Sequence, residues 1–309
     1  MSNAPEPHHK SEVGRGFSFA IAAYMMWGLV PIYWQALKPA DATEILASRM
    51  LWSFVFLAPI VLWQRKLPAI RDVLRNTRQR NLLLLASVFI GANWWIFIWA
   101  TTNGHILDSS LGYFTIPLFS TALGVIFLKE RLRPLQWTAL AVAGIALIYI
   151  TWEKHTFPWI GLSLAGTFAI YGLIKKLAGV EALESLTIET VYLLPIAAGY
   201  LGYLSSQQLN TFGTHGIPHA LFMMGTGVAT AVPLLLYGAA VIRVPLFYIG
   251  FLQYIASTMQ FFVGIYIFHE EMDTKRFLGF AITWVALVLL ATDNIRQRRT
   301  PASQVVELD

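Results

Sequence analysis

The chain has 309 residues, 56% of them hydrophobic and only 13% charged, with a mean hydropathy of +0.58. A soluble fold carries roughly 25% charged residues, so ordinary cytosolic, disordered and collagen-like classes are excluded and a polytopic membrane protein remains. Cysteine is absent, which removes disulfide scaffolds, thiolate metal sites and cysteine nucleophiles. The formal net charge of +5 implies no nucleic-acid partner, because basic residues in a membrane chain set its orientation.

A helix needs about 20 apolar residues to cross ~30 Å of hydrocarbon. Residues 1–14, with Pro5, Pro7, His8 and His9, read as a disordered cytoplasmic tail. The first apolar run, 16–37, is longer than the core of a secretory signal and holds Trp27, Tyr33 and Trp34, so a span rather than a cleaved leader is expected. Further spans are predicted at 43–63, 82–102, 109–128, 135–152, 157–174, 184–204, 219–240, 246–268 and 276–292. The longest connection, 64–81, has room for one short helix, and 293–309 forms a second tail. No loop can house a soluble catalytic domain.

The basic residues orient these ten spans. With the N-terminus inside, 17 of the 22 Lys and Arg, Lys175 and Lys176 among them, fall in tails and connections on the inner side. Lys38, Lys154, Lys275 and Arg276 fall outside, and Arg49 lies within the second span. The positive-inside rule then puts both termini in the cytoplasm.

The halves also resemble each other. Ala42-Thr43-Glu44 meets Ala182-Leu183-Glu184, Ile126-Phe127 with Glu130 meets Ile267-Phe268 with Glu270, and Trp27-Gly28 meets Tyr171-Gly172. Five spans per unit is odd, so the second unit enters from the opposite face. The expected fold is all-α and integral to the membrane: ten transmembrane helices as two inverted-topology five-helix repeats, 15–152 and 157–292. Such repeats place cargo near the midplane between the halves.

Several segments carry a family resemblance. They include Tyr24 with Trp27-Gly28, Glu44-Ile45-Leu46 leading to Arg49, Gly91-Ala92-Asn93-Trp94, Ser110-Leu111-Gly112-Tyr113-Phe114 with Pro117, and Gln253-Tyr254. In these the chain resembles the EamA units of the drug/metabolite transporter superfamily, and its RarD branch more closely still. The resemblance implies a carrier of small molecules in the bacterial inner membrane. Ser257 stands where the family leads one to expect a proline in span nine.

Charged groups inside spans are costly and usually face a cavity or a partner. Arg49 and Glu189 lie at corresponding depths of the two repeats, with opposite sign. They are the first candidates for substrate binding or gating, against a structural ion pair or a snorkelling Arg49. At about 10 Å from opposite faces they would need water or substrate to bridge them. Asn93, Trp94, Tyr113, Gln253 and Tyr254 complete the candidate site, with Trp27, Tyr171, Asn103 and Pro117 behind them. The competing reading makes the amides interhelical bonds and the rings packing anchors.

No Walker loop, zinc spacing or catalytic constellation occurs, so no cofactor, metal or enzymatic role is expected. The expected function is secondary active transport of a small organic metabolite or drug, outward, by alternating access. The expected partners are that small-molecule substrate and membrane lipids, and a homodimer is an allowed assembly. The alternatives are a lipid flippase, or a non-transporting sensor, scaffold or intramembrane enzyme.

Overall fold

The computed structural model describes residues 7–102, 106–154, 159–268 and scattered positions from 274 to 288. Among the described residues the chain is all-helical, with ten helices: α1 (Pro7–Gln35), α2 (Ala42–Trp63), α3 (Leu67–Arg75), α4 (Thr77–Thr102), α5 (Ile106–Leu128), α6 (Pro134–Lys154), α7 (Trp159–Ala178), α8 (Ala182–Ser206), α9 (Gly216–Val241) and α10 (Leu246–Tyr266). Six of them (α1, α2, α4, α7, α9 and α10) are long and apolar enough to cross a membrane. Nine of the ten predicted spans coincide with a helix; the tenth, 276–292, lies largely outside the described residues.

Local chemistry sets the helix ends. Asp41 caps α2, its carboxylate accepting from the backbone N–H groups of Thr43 (2.7 Å) and Glu44 (2.8 Å). The 64–81 connection holds the short helix α3, with Pro68 in its first turn, where a missing N–H costs nothing. Its Ile70 and Val73 pack on Leu83, Ala178, Val180 and Ile188. Two expectations are corrected here. Residues 7–14 are helical as the start of α1, and Arg243 donates to Glu12 across 2.9 Å. Helix α7 continues to Ala178, so Lys175 is a buried helical residue and not a solvated connection charge.

The helices interleave. α1 packs on α9 and α10, α2 on α8 and α9, α4 on α7 and α8, and α5 on α7 and α10. Each of these four helices of the first half thus lies between two of the second, and the eight close a ring with α6 outside it against α5. Inside the ring, Tyr24, Trp27, Phe168, Tyr171 and Tyr237 form one aromatic cluster, with Tyr171 stacked on Tyr237. The fully buried Tyr24 hydroxyl donates to the Ile249 carbonyl (2.9 Å), tying α1 to α10.

Candidate functional site

A cavity with about 70 Å³ open to the centres of water-sized molecules lies within the ring, enough for several waters. Its walls come from both halves: Trp27 and Trp34 on α1, Arg49 on α2, Asn93, Trp94 and Phe97 on α4, Tyr113 on α5, Phe168 on α7, and Gln253 and Gln260 on α10. Arg49 stands two turns past the Asp41 cap and is only 7% exposed. Gly227 lets α9 approach the α2 backbone at Trp52 and Ser53, which a side chain there would block. That contact sets Thr230, three residues on, where its hydroxyl accepts from Arg49 Nε at 3.0 Å. The guanidinium carbon lies 4.2 Å from the ring centre of Trp94 and 5.1 Å from that of Trp34, so cation–π attraction replaces part of its lost hydration. Among the described residues no carboxylate pairs with it.

The other candidates divide. Asn93 lines the cavity, yet its amide donates to the Leu164 carbonyl and the Thr167 hydroxyl, both at 2.9 Å, so it also binds α4 to α7. Tyr113 lines the wall and packs its ring on Phe97. Gln253 is 3% exposed and lines the cavity, and its side-chain amide makes no hydrogen bond among the described residues. Tyr254 turns away, packing with Phe247, Phe251 and Ala139 of α6. Trp27 is in the wall. Pro117 lies where α5 crosses Gly250 of α10, and Asn103 falls outside the described residues.

Glu189 and Arg49 do not meet. Lys175 and Glu189, each 2% exposed, pair at 2.8 Å instead. The Tyr171 hydroxyl donates to the other Glu189 oxygen at 3.0 Å, and Lys175 also donates to Ser185. Sequence reasoning missed Lys175, although Tyr171 and Lys175 on α7, and Ser185 and Glu189 on α8, both stand four apart and therefore share a helix face. Only a thin layer separates the two charged sites. Trp94 and Thr230, which touch Arg49, also border a space of about 10 Å³ beside Glu189, room for one water at most.

At the end of the ring rich in basic residues, polar contacts cross between the halves. Lys66 pairs with Glu184 (2.8 Å) and Glu181 (3.2 Å), and these hydrogen bonds, Glu184's first, hold its ammonium above the usual lysine range. Glu130 accepts from the N–H groups of Leu246 (2.8 Å) and Phe247 (3.2 Å), capping α10, and lies 3.6 Å from Lys176. At the opposite end Glu44, 1% exposed, accepts from the N–H groups of Thr211 (2.7 Å) and Phe212 (3.4 Å), fixing the loop before α9.

Comparison with known proteins agrees with this architecture. Residues 14–152 match the EamA-like transporter family. The chain is similar to protein RarD of Streptomyces exfoliatus, 45% identical over 290 residues that cover 94% of this chain and 92% of the relative. It is also similar to an uncharacterized transporter of Pseudomonas aeruginosa, 40% identical over 93% of this chain and 97% of the relative. A solved crystal structure with 13% identity shares the fold at a TM-score of 0.65, covering 90% of this chain and 96% of that one. The chain belongs to the EamA-like transporter family, in its RarD branch.

Proposed function

We propose that this multi-pass membrane transporter is a secondary active carrier that exports small organic metabolites or drugs across the bacterial inner membrane. It works by alternating access, with ten spans forming two inverted repeats, 15–152 and 157–292, and both termini in the cytoplasm. The observation that carries this reading is a cavity at the meeting of the halves, walled by helices of each and holding, among the described residues, one charged side chain. The ring supports the repeats, since exchanging α1, α2, α4 and α5 with α7, α8, α9 and α10 leaves the same pattern of neighbours. Sixteen basic residues of the proposed inner side, the buried Lys175 set apart, support the orientation. Arg49 then acts as cargo ligand or gate, with Asn93, Trp94, Tyr113 and Gln253 beside it. Tyr254 packs behind Gln253, while Tyr171 and Glu189 act from the neighbouring polar cluster. The energy comes from a proton or metabolite gradient, as the chain has no nucleotide-binding loop.

The deciding experiment measures flux of a labelled metabolite panel in proteoliposomes of the purified chain, with and without a pH gradient. Saturable, protein-dependent efflux supports the carrier. Lipid scrambling in the same vesicles, with no metabolite flux, would replace it by a flippase. Orientation is read separately: a cysteine replacing exposed Arg78 stays unlabelled by an impermeant reagent in intact cells and reacts after permeabilisation.

A further inference from the structure

The cavity's chemistry narrows the cargo. Among the described residues Arg49 is its only charged lining residue, with no Asp, Glu, Lys or His beside it. Glu189, which borders the small adjoining space, is consumed by Lys175 and Tyr171, so the second polar cluster is neutral by itself. A buried, unpaired guanidinium in a membrane is expensive, and it persists where something outside the chain neutralises it. Thr230 uses Arg49 Nε, and the indoles of Trp94 and Trp34 lie against the group. The terminal nitrogens remain, and they form the end-on fork that accepts a planar carboxylate through two parallel hydrogen bonds. A second polar contact is ready in the side-chain amide of Gln253, which has no hydrogen-bond partner among the described residues. The rest of the wall is largely aromatic, with Trp27, Phe97 and Phe168 among its rings.

We infer that the cavity binds small organic carboxylates with a flat apolar body, the carboxylate on Arg49 and the body against the rings of Trp27, Phe97 and Phe168. This rests on the reading of the cavity as the cargo site. It turns a general carrier of metabolites into one that selects anions and rejects amines, because an ammonium would meet Arg49 with nothing to offset the repulsion.

The test is equilibrium binding, separate from flux. Detergent-purified wild-type chain is titrated by calorimetry with benzoate, 3-phenylpropionate and indole-3-propionate. Each is compared with its amide and with the amine of equal length. At least one carboxylate is expected to bind a minimum of tenfold (about 1.4 kcal/mol) more tightly than its amide, with the amines weakest. Arg49→Gln is expected to erase that preference while keeping what affinity the rings supply. Equal binding of carboxylate and amide, tighter binding of the amine, or no carboxylate binding at millimolar concentration would each overturn the inference. Because the matched ligands are compared on wild-type chain, poor folding of the variant leaves the test intact. Carboxylate preference without flux of any compound would sink the carrier reading and leave the anion site standing. Saturable flux of neutral or cationic compounds, with no carboxylate preference, would do the reverse.

Discussion

Lys175 and Glu189 offer a measurable electrostatic unit. Their charges are 2.8 Å apart, each side chain 2% exposed, and at an effective dielectric near 20 the attraction is on the order of 6 kcal/mol. Desolvation of two ions consumes most of that, so the pair contributes little net stability compared with apolar residues of the same volume. Removing one member is different, because it leaves the other charge buried without a counter-ion, at about 3–5 kcal/mol. Lys175→Met and Glu189→Met should therefore each destabilise the purified chain strongly, while the double variant recovers to near wild type. Taking about 2 °C per kcal/mol for a large chain, the singles should melt roughly 6–10 °C lower. Thermal unfolding in detergent, read as a double-mutant cycle, checks this. Two single variants whose losses simply add in the double would refute the pair as a coupled unit. Glu189→Gln separates structure from coupling: if flux is proton-driven through Glu189, accumulation against a gradient in response to ΔpH disappears while substrate exchange survives.

Arg49→Lys should transport almost as poorly as Arg49→Ala, since an ammonium cannot donate from Nε to Thr230 and present a second fork; wild-type flux from well-expressed Arg49→Lys would count against a guanidinium-specific role. Gly227→Ala should lower both melting temperature and flux, because the new Cβ would overlap the Trp52 carbonyl and push α9 from α2; unchanged thermal unfolding would contradict the close approach. Lys66 gives a pH signature. Its pKa in the folded chain is raised by Glu184 and Glu181, so its stabilisation is complete below the unfolded lysine value of about 10.4 and is lost as pH climbs through the higher folded value. The melting gap between wild type and Lys66→Gln should stay flat from neutral pH to about 10 and close above it; a gap already closing near pH 8 would exclude the pair as its source.

Apolar runs fix helices in a bilayer because backbone groups must bond within the segment, and so nine span positions were legible with only their ends displaced. The ends failed where a charge interrupts an apolar run without ending the helix. Lys175 stops the hydrophobic pattern of α7, yet Glu189 and Ser185 on the next helix let it stay buried. Arg49 was legible as a costly group inside a span; Thr230 as its partner was not, since that contact depends on the Gly227 approach between α2 and α9. Gln253 and Tyr254 show a signal that was present and unused. Neighbours on a helix point about 100° apart, so adjacent residues need not share a wall. Gln253 lines the cavity, and Tyr254 packs toward α6.

The two proposed repeats place one charged residue each at matching positions, and the structure treats them differently. Glu189 is neutralised by a lysine of its own half, so that half can close around it without an external ion. Arg49 faces the cavity with no such partner among the described residues. Occlusion of an empty cavity expels water from a bare guanidinium, which costs several kcal/mol, whereas a bound carboxylate supplies the missing charge. The loaded carrier should therefore change orientation faster than the empty one. Proteoliposomes preloaded with unlabelled carboxylate should take up labelled carboxylate at least about tenfold faster than empty vesicles do, equivalent to about 1.4 kcal/mol in the barrier. Arg49→Gln, with no charge to desolvate, should lose most of that advantage even where its absolute flux is low. Equal uptake into preloaded and empty wild-type vesicles would show that the guanidinium is already neutralised when the cavity closes, and that Arg49 does not govern the return step.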